Sequence, residues 1–272
     1  MVLITGGASG LGRGLAQAWI DRGAKVIIAD IDDVRCAETA SSIGAAQAIT
    51  LDVSDPSSVT QAIGRVVSEF GRLDLMVNNA GFSVNGEIRH IPTEDWQRIF
   101  AVNTLGVVYG SQAAYAHMLE QGGGHIVNIA SIFGLVSAPL AAPYVASKHA
   151  VVGFTRALQH EAAASGVQVT LVCPGFIDTG FFDNARYAGV DRAQLKRRGD
   201  PPTVPLDVAV QKIVDGVARG RREVIFPWSV KLYRWLDRYA PWLLSNLYRR
   251  ALHDHRALLV EQPQTDSKGD LP

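Results

Sequence analysis

Tyr144 and Lys148 stand four residues apart in Tyr144-Val145-Ala146-Ser147-Lys148. On a helix that spacing puts a phenol and an ammonium on one face, one turn from each other. A phenol ordinarily titrates near 10, and lowering that by about three units requires ~4 kcal/mol of preferential stabilisation of phenolate, which a nearby cation in a dry cleft can supply. A tyrosine so placed exchanges a proton with an alcohol or a carbonyl near neutral pH. By spacing alone, the pair also fits two ordinary surface residues.

A second group of residues could hold phosphate. Thr5-Gly6-Gly7-Ala8-Ser9-Gly10-Leu11-Gly12 follows an apolar run and opens a helical stretch. Glycines there permit a tight turn and let backbone N–H groups approach a pyrophosphate, whose charge the helix N-terminus attracts. The Gly-xxx-Gly-x-Gly spacing differs from the commoner Gly-x-Gly-xx-Gly, and alone it also fits a plain glycine-rich turn. Asp30 ends the next apolar run, Lys25-Val26-Ile27-Ile28-Ala29, where a carboxylate can bind both hydroxyls of an adenosine ribose. It would also repel a 2′-phosphate, and Ser9 offers no positive charge to accept one, so NAD is expected over NADP. The other reading of Asp30 is a strand-end cap. Cys36 and Cys173 make no CxxC pair and no ligand set, which argues against a disulfide framework or a metal site and for two buried thiols in a reducing compartment.

These residues need a scaffold that brings them together. Short β-rich runs alternate with longer helical stretches, which argues for βαβ units and one doubly wound parallel α/β sheet with helices on both faces. Seven strands are expected at residues 2–4, 25–29, 47–50, 73–78, 124–130, 168–173 and 223–226, with continuously apolar centres such as Val26-Ile27-Ile28 and Ile126-Val127. Helices are expected at about 12–22, 56–70, 93–120, 144–164 and 206–219. Asp55-Pro56 and Thr93-Glu94-Asp95 supply helix-start chemistry. The carboxyl ends of parallel strands share one edge, where ligands bind. Residues 181–202 have no strong period and carry Arg186, Arg192, Lys196, Arg197 and Arg198, which reads as a loop over the site. Residues 99–119 hold no Asp, Glu, Lys or Arg, but Asn103, Thr104, Ser111, Gln112 and His117 favour a helix buried in protein or at a subunit contact over a bilayer span.

Taken together, Thr5-Gly6-xxx-Gly10-x-Gly12, Asp30, Asp52-Val53, Asn78-Asn79-Ala80-Gly81, Asn103, Ser131, Tyr144-xxx-Lys148 and Pro174-Gly175-xxx-Thr179 resemble the short-chain dehydrogenase/reductase family in order and spacing. The likeness covers about residues 1–227, the expected Rossmann-like unit. The resemblance implies Tyr144 as acid/base, with Ser131 hydrogen-bonding the reacting oxygen. It implies Lys148 as the group that holds the nicotinamide ribose and lowers the tyrosine pKa, and Asn103 as the one that positions a water in a relay through that lysine. It further implies a cofactor lined by Gly6, Ser9, Gly10, Leu11, Gly12, Asp30, Ile31, Asp52, Val53, Asn79, Ala80 and Gly81, with Pro174, Gly175, Ile177 and Thr179 at the nicotinamide end. The activity implied is NAD-dependent interconversion of a secondary alcohol and a ketone. The rivals are a 3-oxoacyl-thioester reductase, whose carrier the cationic loop could hold, and a catalytically silent dinucleotide sensor. Dimers or tetramers are implied, formed through helices near residues 104–119 and 151–163.

The remainder is of another character. The chain has 272 residues with 26 Lys plus Arg and 26 Asp plus Glu, and this zero balance argues against nucleic acid. Residues 228–256 hold six Lys or Arg and two Asp, a net of +4, with three of the five Trp. Trp228, Leu232, Trp235, Leu236, Tyr239, Leu243 and Leu247 recur at helical spacing, and Pro241 should split the run. Such an extension, over residues 228–258, suits a membrane interface, or packs on its own domain or a second subunit as a roof over the cleft. Both readings favour a lipophilic substrate, steroid-like, retinoid-like or long-chain. Residues 262–272 are polar, and the tail 259–272 is expected to be disordered. Met1-Val2-Leu3-Ile4 runs into the glycines without a basic leader, so a cytoplasmic protein is expected, peripherally membrane-associated if the interface reading holds.

Overall fold

A computed structural model of the chain describes residues 1–181, 185–189 and 202–257. The expected loop residues 190–201, with Arg192, Lys196, Arg197 and Arg198, and the tail 259–272 lie outside the described residues.

Seven parallel strands form one sheet: β1 Val2–Thr5, β2 Val26–Asp30, β3 Gln47–Thr50, β4 Leu75–Asn78, β6 Gly124–Ile129, β7 Val167–Pro174 and β9 Glu223–Phe226. Their order is β3-β2-β1-β4-β6-β7-β9. Strands β1, β4 and most of β2 are buried throughout, as apolar strands covered on both faces must be. The chain builds outward from β1 through β2 to β3, then returns to add β4 on the other side. The β1/β4 boundary is therefore the topological switch point, where the carboxyl ends open a crevice.

The helices are α1 Gly10–Ile20, α2 Asp33–Ile43, α3 Pro56–Phe70, α4 Thr93–Phe100, α5 Gly106–Glu120, α6 Ala142–Glu161, α7 Leu206–Ala218, α8 Trp228–Tyr239 and α9 Pro241–Arg256. Helix α3 shows the sequence logic most directly. The Asp55 carboxylate accepts from the Ser57 N–H at 3.0 Å, Pro56 opens the first turn, and Gly71 ends the helix in the left-handed region at φ 80°. Its stripe of Val59, Ala62, Ile63 and Val66 is buried against the sheet.

Three features depart from the sequence expectations. Helix α2 was not anticipated, although Asp32 caps it at the Arg35 N–H (3.0 Å) and Gly44 ends it at φ 72°. Its apolar stripe is short, only Cys36, Ala40 and Ile43, and so gives a weak period. The expected helix over 93–120 is interrupted by a π-helical turn, Ala101–Leu105, that carries Asn103 inward to full burial. A two-stranded parallel ladder outside the main sheet pairs β5 Val84–Gly86 with β8 Arg186–Ala188 and fixes part of the segment expected to be loop.

Candidate active site

The glycine turn is tied to the switch point from both sides. Thr5 Oγ1 accepts from the Asn79 and Ala80 N–H groups at 3.0 and 3.1 Å, while the Asn79 amide donates to the Thr5 and Gly6 carbonyls at 2.9 and 3.1 Å. Gly6 sits at φ 63°, and a Cβ on Gly12 would lie 2.1 Å from the Gly6 carbonyl oxygen, so neither position accepts a side chain. Ser9 precedes α1 without a side-chain cap, which leaves the helix's first N–H groups facing the crevice. Gly10, at φ 48°, is met only by Thr179, whose Cβ would be 3.5 Å away. This is a cradle for an anion, closed in on its floor and open toward the cleft.

The cleft has a volume of about 570 Å³ and runs along the carboxyl ends of the strands. Of the twenty residues expected at the cofactor and catalytic positions nineteen line it, and Asn103, fully buried, does not. At one end, Asp30 receives the Ala8 N–H at 3.1 Å and the Asp32 N–H at 3.3 Å, beside an exposed Ile31. Asp30 thus ties down the end of its strand and also lines the cleft. Asp52 orders the turn after β3 by accepting from the Ser54 N–H and hydroxyl at 2.9 and 2.7 Å, with Val53 beneath it. Arg35 lines this same end, and the sequence reading had no place for it because it lies on the unanticipated α2.

The residues expected to carry the chemistry line the other end. Ser131 follows β6 and caps a short 3₁₀ turn, accepting from the Phe133 N–H at 3.2 Å. Tyr144 and Lys148 lie one turn apart on α6, both buried, with the Lys148 Nζ 5.7 Å from the phenol ring centroid. Lys148 donates to the Ile129 carbonyl at 2.9 Å. Burial pushes the Tyr144 phenol up to about 12, against a hydrogen bond with Ser131 that favours phenolate. Burial likewise lowers Lys148 to about 8. Loss of water is the largest cause of the Tyr144 shift, and it runs opposite to the expected lowering.

Asn103 holds the site together from behind. Its Oδ1 accepts from the Phe82 N–H at 3.0 Å, and its Nδ2 donates to the Phe82 carbonyl at 2.9 Å and to the Ser147 hydroxyl at 3.2 Å. Ser147, unnoticed in the sequence, passes that bond on to the Tyr144 carbonyl at 2.8 Å. Gly81 runs between Asn103 and Lys148: a Cβ there would lie 3.0 Å from Asn103 Oδ1 and 3.6 Å from Lys148 Nζ. From β7 the chain supplies Pro174 and Gly175, whose N–H donates to the Phe226 carbonyl at 2.7 Å, then a nearly buried Ile177 and Thr179.

Beyond Tyr144 the cleft is walled by aromatic rings. Phe133 meets Tyr144 and Phe176 edge-on, with centroids 6.2 and 5.7 Å apart, and Phe181 tilts against Tyr144 at 5.8 Å. Charged residues stand among them: Arg98 lies 5.6 Å over the Phe82 ring, and Arg186 donates to the buried Asp95 carboxylate at 2.6 Å. The sequence places Asp95 at a helix start and Arg186 in the cationic segment but gives no signal that they pair, since they are 91 positions apart. Among the described residues none of α8 or α9 lines the cleft, so within one chain these helices do not roof it.

The family model for short chain dehydrogenases matches residues 1–188. A putative oxidoreductase, SadH, of Mycobacterium tuberculosis (strain ATCC 25618 / H37Rv) is 36% identical over 259 residues, covering 92% of each chain. The 2-(R)-hydroxypropyl-CoM dehydrogenase of Xanthobacter autotrophicus is 37% identical over 66% of this chain and 75% of its own. Among solved structures, a short-chain dehydrogenase/reductase from Burkholderia phymatum in complex with NAD superposes with a TM-score of 0.76 at 28% identity, covering 96% of both chains. With its glycine cradle at the β1/β4 switch and its Ser131, Tyr144 and Lys148 in one cleft, this chain belongs to the short-chain dehydrogenase/reductase family and is an oxidoreductase acting on CH–OH groups.

Proposed function

We propose that the chain interconverts a lipophilic secondary alcohol and its ketone, using NAD, with Tyr144 as the acid/base. The reading is carried by the buried Tyr144 phenol, hydrogen-bonded to Ser131 and flanked by the Lys148 ammonium, at the end of a cleft that begins at an anion cradle. The hydride chemistry belongs to the nicotinamide. The protein binds, orients and moves the proton. Ser131 holds the reacting oxygen against Tyr144 Oη, and Asn103 acts through Ser147 and Phe82 to fix where α6 presents Tyr144. Lys148, lowered to about 8, is still a cation at neutral pH, 5.7 Å from the phenol ring, and favours phenolate. With Tyr144 near 12 the resting phenol keeps its proton, ready to donate it to a carbonyl oxygen. Alcohol oxidation needs phenolate, so its kcat/KM should rise with pH while that of ketone reduction does not.

Asp30 at the adenosine end supports NAD, because a 2′-phosphate would face its carboxylate. Arg35 on the same wall is the observation that favours NADP as a second reading. The rings of Phe82, Phe133, Phe176 and Phe181 support a lipophilic substrate. Assembly as a dimer or tetramer through the outer faces of α5 and α6 is part of the same reading. A panel of secondary alcohols and ketones of rising chain length, assayed by NADH absorbance with NADPH and a 3-oxoacyl thioester alongside, tests it. Preference for long or polycyclic alcohols with NAD supports the proposal. Faster turnover of the thioester, or equal use of NADP, would sink it.

A further inference from the structure

Helix α8 is amphipathic, but it faces the wrong way for a helix that packs on its own domain. Trp228, Leu232, Trp235 and Tyr239 fall within one narrow stripe at 100° per residue, and this stripe points to solvent. Trp228 and Trp235 expose 75% and 54% of their surface, and the patch continues onto α9 through Trp242 at 67%. Leu243 and Leu247 extend it. The inward face of α8 is held by less: Val230 packs with Ile132 and Val136, and the Asp237 carboxylate accepts from Ser137 at 2.8 Å. Helix α9 is pinned by Tyr248, which donates to the Ser137 carbonyl at 2.8 Å, and by Arg256 on Glu87. The hairpin is therefore docked, with its apolar stripe turned outward by design of the docking contacts.

Charge says what the stripe meets. Lys231, Arg234 and Arg238 follow one flank of it and also line a groove between α8 and the body that carries Lys212, Arg219 and Arg221 as well, and these six outnumber the groove's carboxylates, Asp215, Glu223 and Asp237. Among the described residues none of these six has an ion-pair partner within 4.0 Å. A two-fold contact between copies through this face would set one net-cationic patch against an identical one. An anionic surface satisfies them instead, and exposed Trp and Tyr rings beside cations suit the headgroup layer of a bilayer. No helix among the described residues is long and apolar enough to cross a membrane, so any contact of this hairpin is from one side.

We propose that the outer face of α8 and α9 docks the protein on anionic lipid bilayers, with Trp228, Trp235 and Trp242 in the interface and Lys231, Arg234 and Arg238 on lipid phosphates. The contact does not depend on the hydride chemistry, and its test reads binding alone. The full chain is sedimented with vesicles of phosphatidylcholine, with and without about one quarter phosphatidylglycerol. The result expected is binding to anionic vesicles with a blue shift of tryptophan emission, about tenfold weaker on neutral vesicles and in about 0.5 M NaCl. W228S/W235S and R234E/R238E change exposed residues only, and retained circular dichroism and NADH binding verify their fold. Each should reduce vesicle binding by about tenfold or more. Vesicle binding that is absent, or unchanged by both double variants, overturns the proposal. A drop in solution mass caused by W228S/W235S without vesicle binding assigns the face to a second copy of the chain, and also overturns it.

Discussion

Helices α3 and α8 carry the same kind of apolar period and use it in opposite ways. In α3 the stripe of Val59, Ala62, Ile63 and Val66 lies buried on the sheet. In α8 the stripe of Trp228, Leu232, Trp235 and Tyr239 is exposed, and Val230 alone is fully buried. Periodicity thus tells that a helix has two faces. It does not tell which face meets the domain, because that depends on what the neighbouring elements offer. The sheet offers α3 a continuous apolar floor, whereas the segment after Ser131 offers α8 a small cluster of Ile132, Leu135 and Val136 and a few polar anchors.

The largest effect should come from the inward-facing chemistry of the body. Tyr144→Phe should lower turnover by about 10³-fold or more while leaving NADH binding and vesicle binding in place, since the hydroxyl belongs to neither. Steady-state kinetics against a nucleotide titration checks this, and turnover near wild type would remove Tyr144 from its role. Next, Ile63→Ala in α3 should cost about 3 kcal/mol in urea unfolding, as a fully buried side chain leaves a cavity. A loss below about 1 kcal/mol would mean that the α3 stripe is not the packed one.

Acid should separate the two regions as well. Burial holds His125 at about 4, with its ring 2.8 Å from the Thr170 hydroxyl. As pH falls from about 6.5 to 4 the unfolded chain takes up a proton that the folded chain refuses, so stability present above pH 6.5 is lost toward pH 4, by at most roughly 3 kcal/mol. Replacing His125 by Asn should flatten that decline in urea titrations. In the hairpin, burial also lowers His255, but Glu87 opposes the shift, so its replacement should flatten the decline less.

A smaller change concerns the adenosine end. Asp30→Ala, with Arg35 left in place, should shift the ratio of NADP to NAD efficiency upward by about tenfold, the loss of one like-charge repulsion. An unchanged ratio would show that Asp30 only closes its strand. Smallest of all, Leu232→Ala on the outer stripe of α8 should change stability by no more than about 0.5 kcal/mol. A cost comparable to that of Ile63→Ala would show that the exposed stripe is covered in solution even without lipid.

Much of the site could be read before any coordinates, because its parts are local. The glycine turn, the Tyr144 and Lys148 pair and the residues after β4 each owe their role to near neighbours in the chain and to their place at a strand's carboxyl end. What escaped was either weak in period or distant in sequence. Helix α2 has strong end signals but a sparse stripe, and Arg35 went unseen with it. The π turn at Asn103 is invisible to a 3.6-residue period. Ser147 joins Asn103 across 44 positions, and Asp95 meets Arg186 across 91.

The sequence by itself determined the strand and helix alternation, the glycine turn at the first strand's end, the Tyr144 and Lys148 pair one helical turn apart and the division between an apolar-cored body and a cationic, aromatic end. Those follow from backbone sterics, side-chain period and charge, which are properties of neighbouring residues. Only the tertiary structure decided that Asn103 supports α6 through Ser147, that burial raises Tyr144 above its ordinary value, and that the stripe of α8 faces water. Each of these depends on which surfaces meet, and desolvation and packing have no value until the partners across the chain are in place.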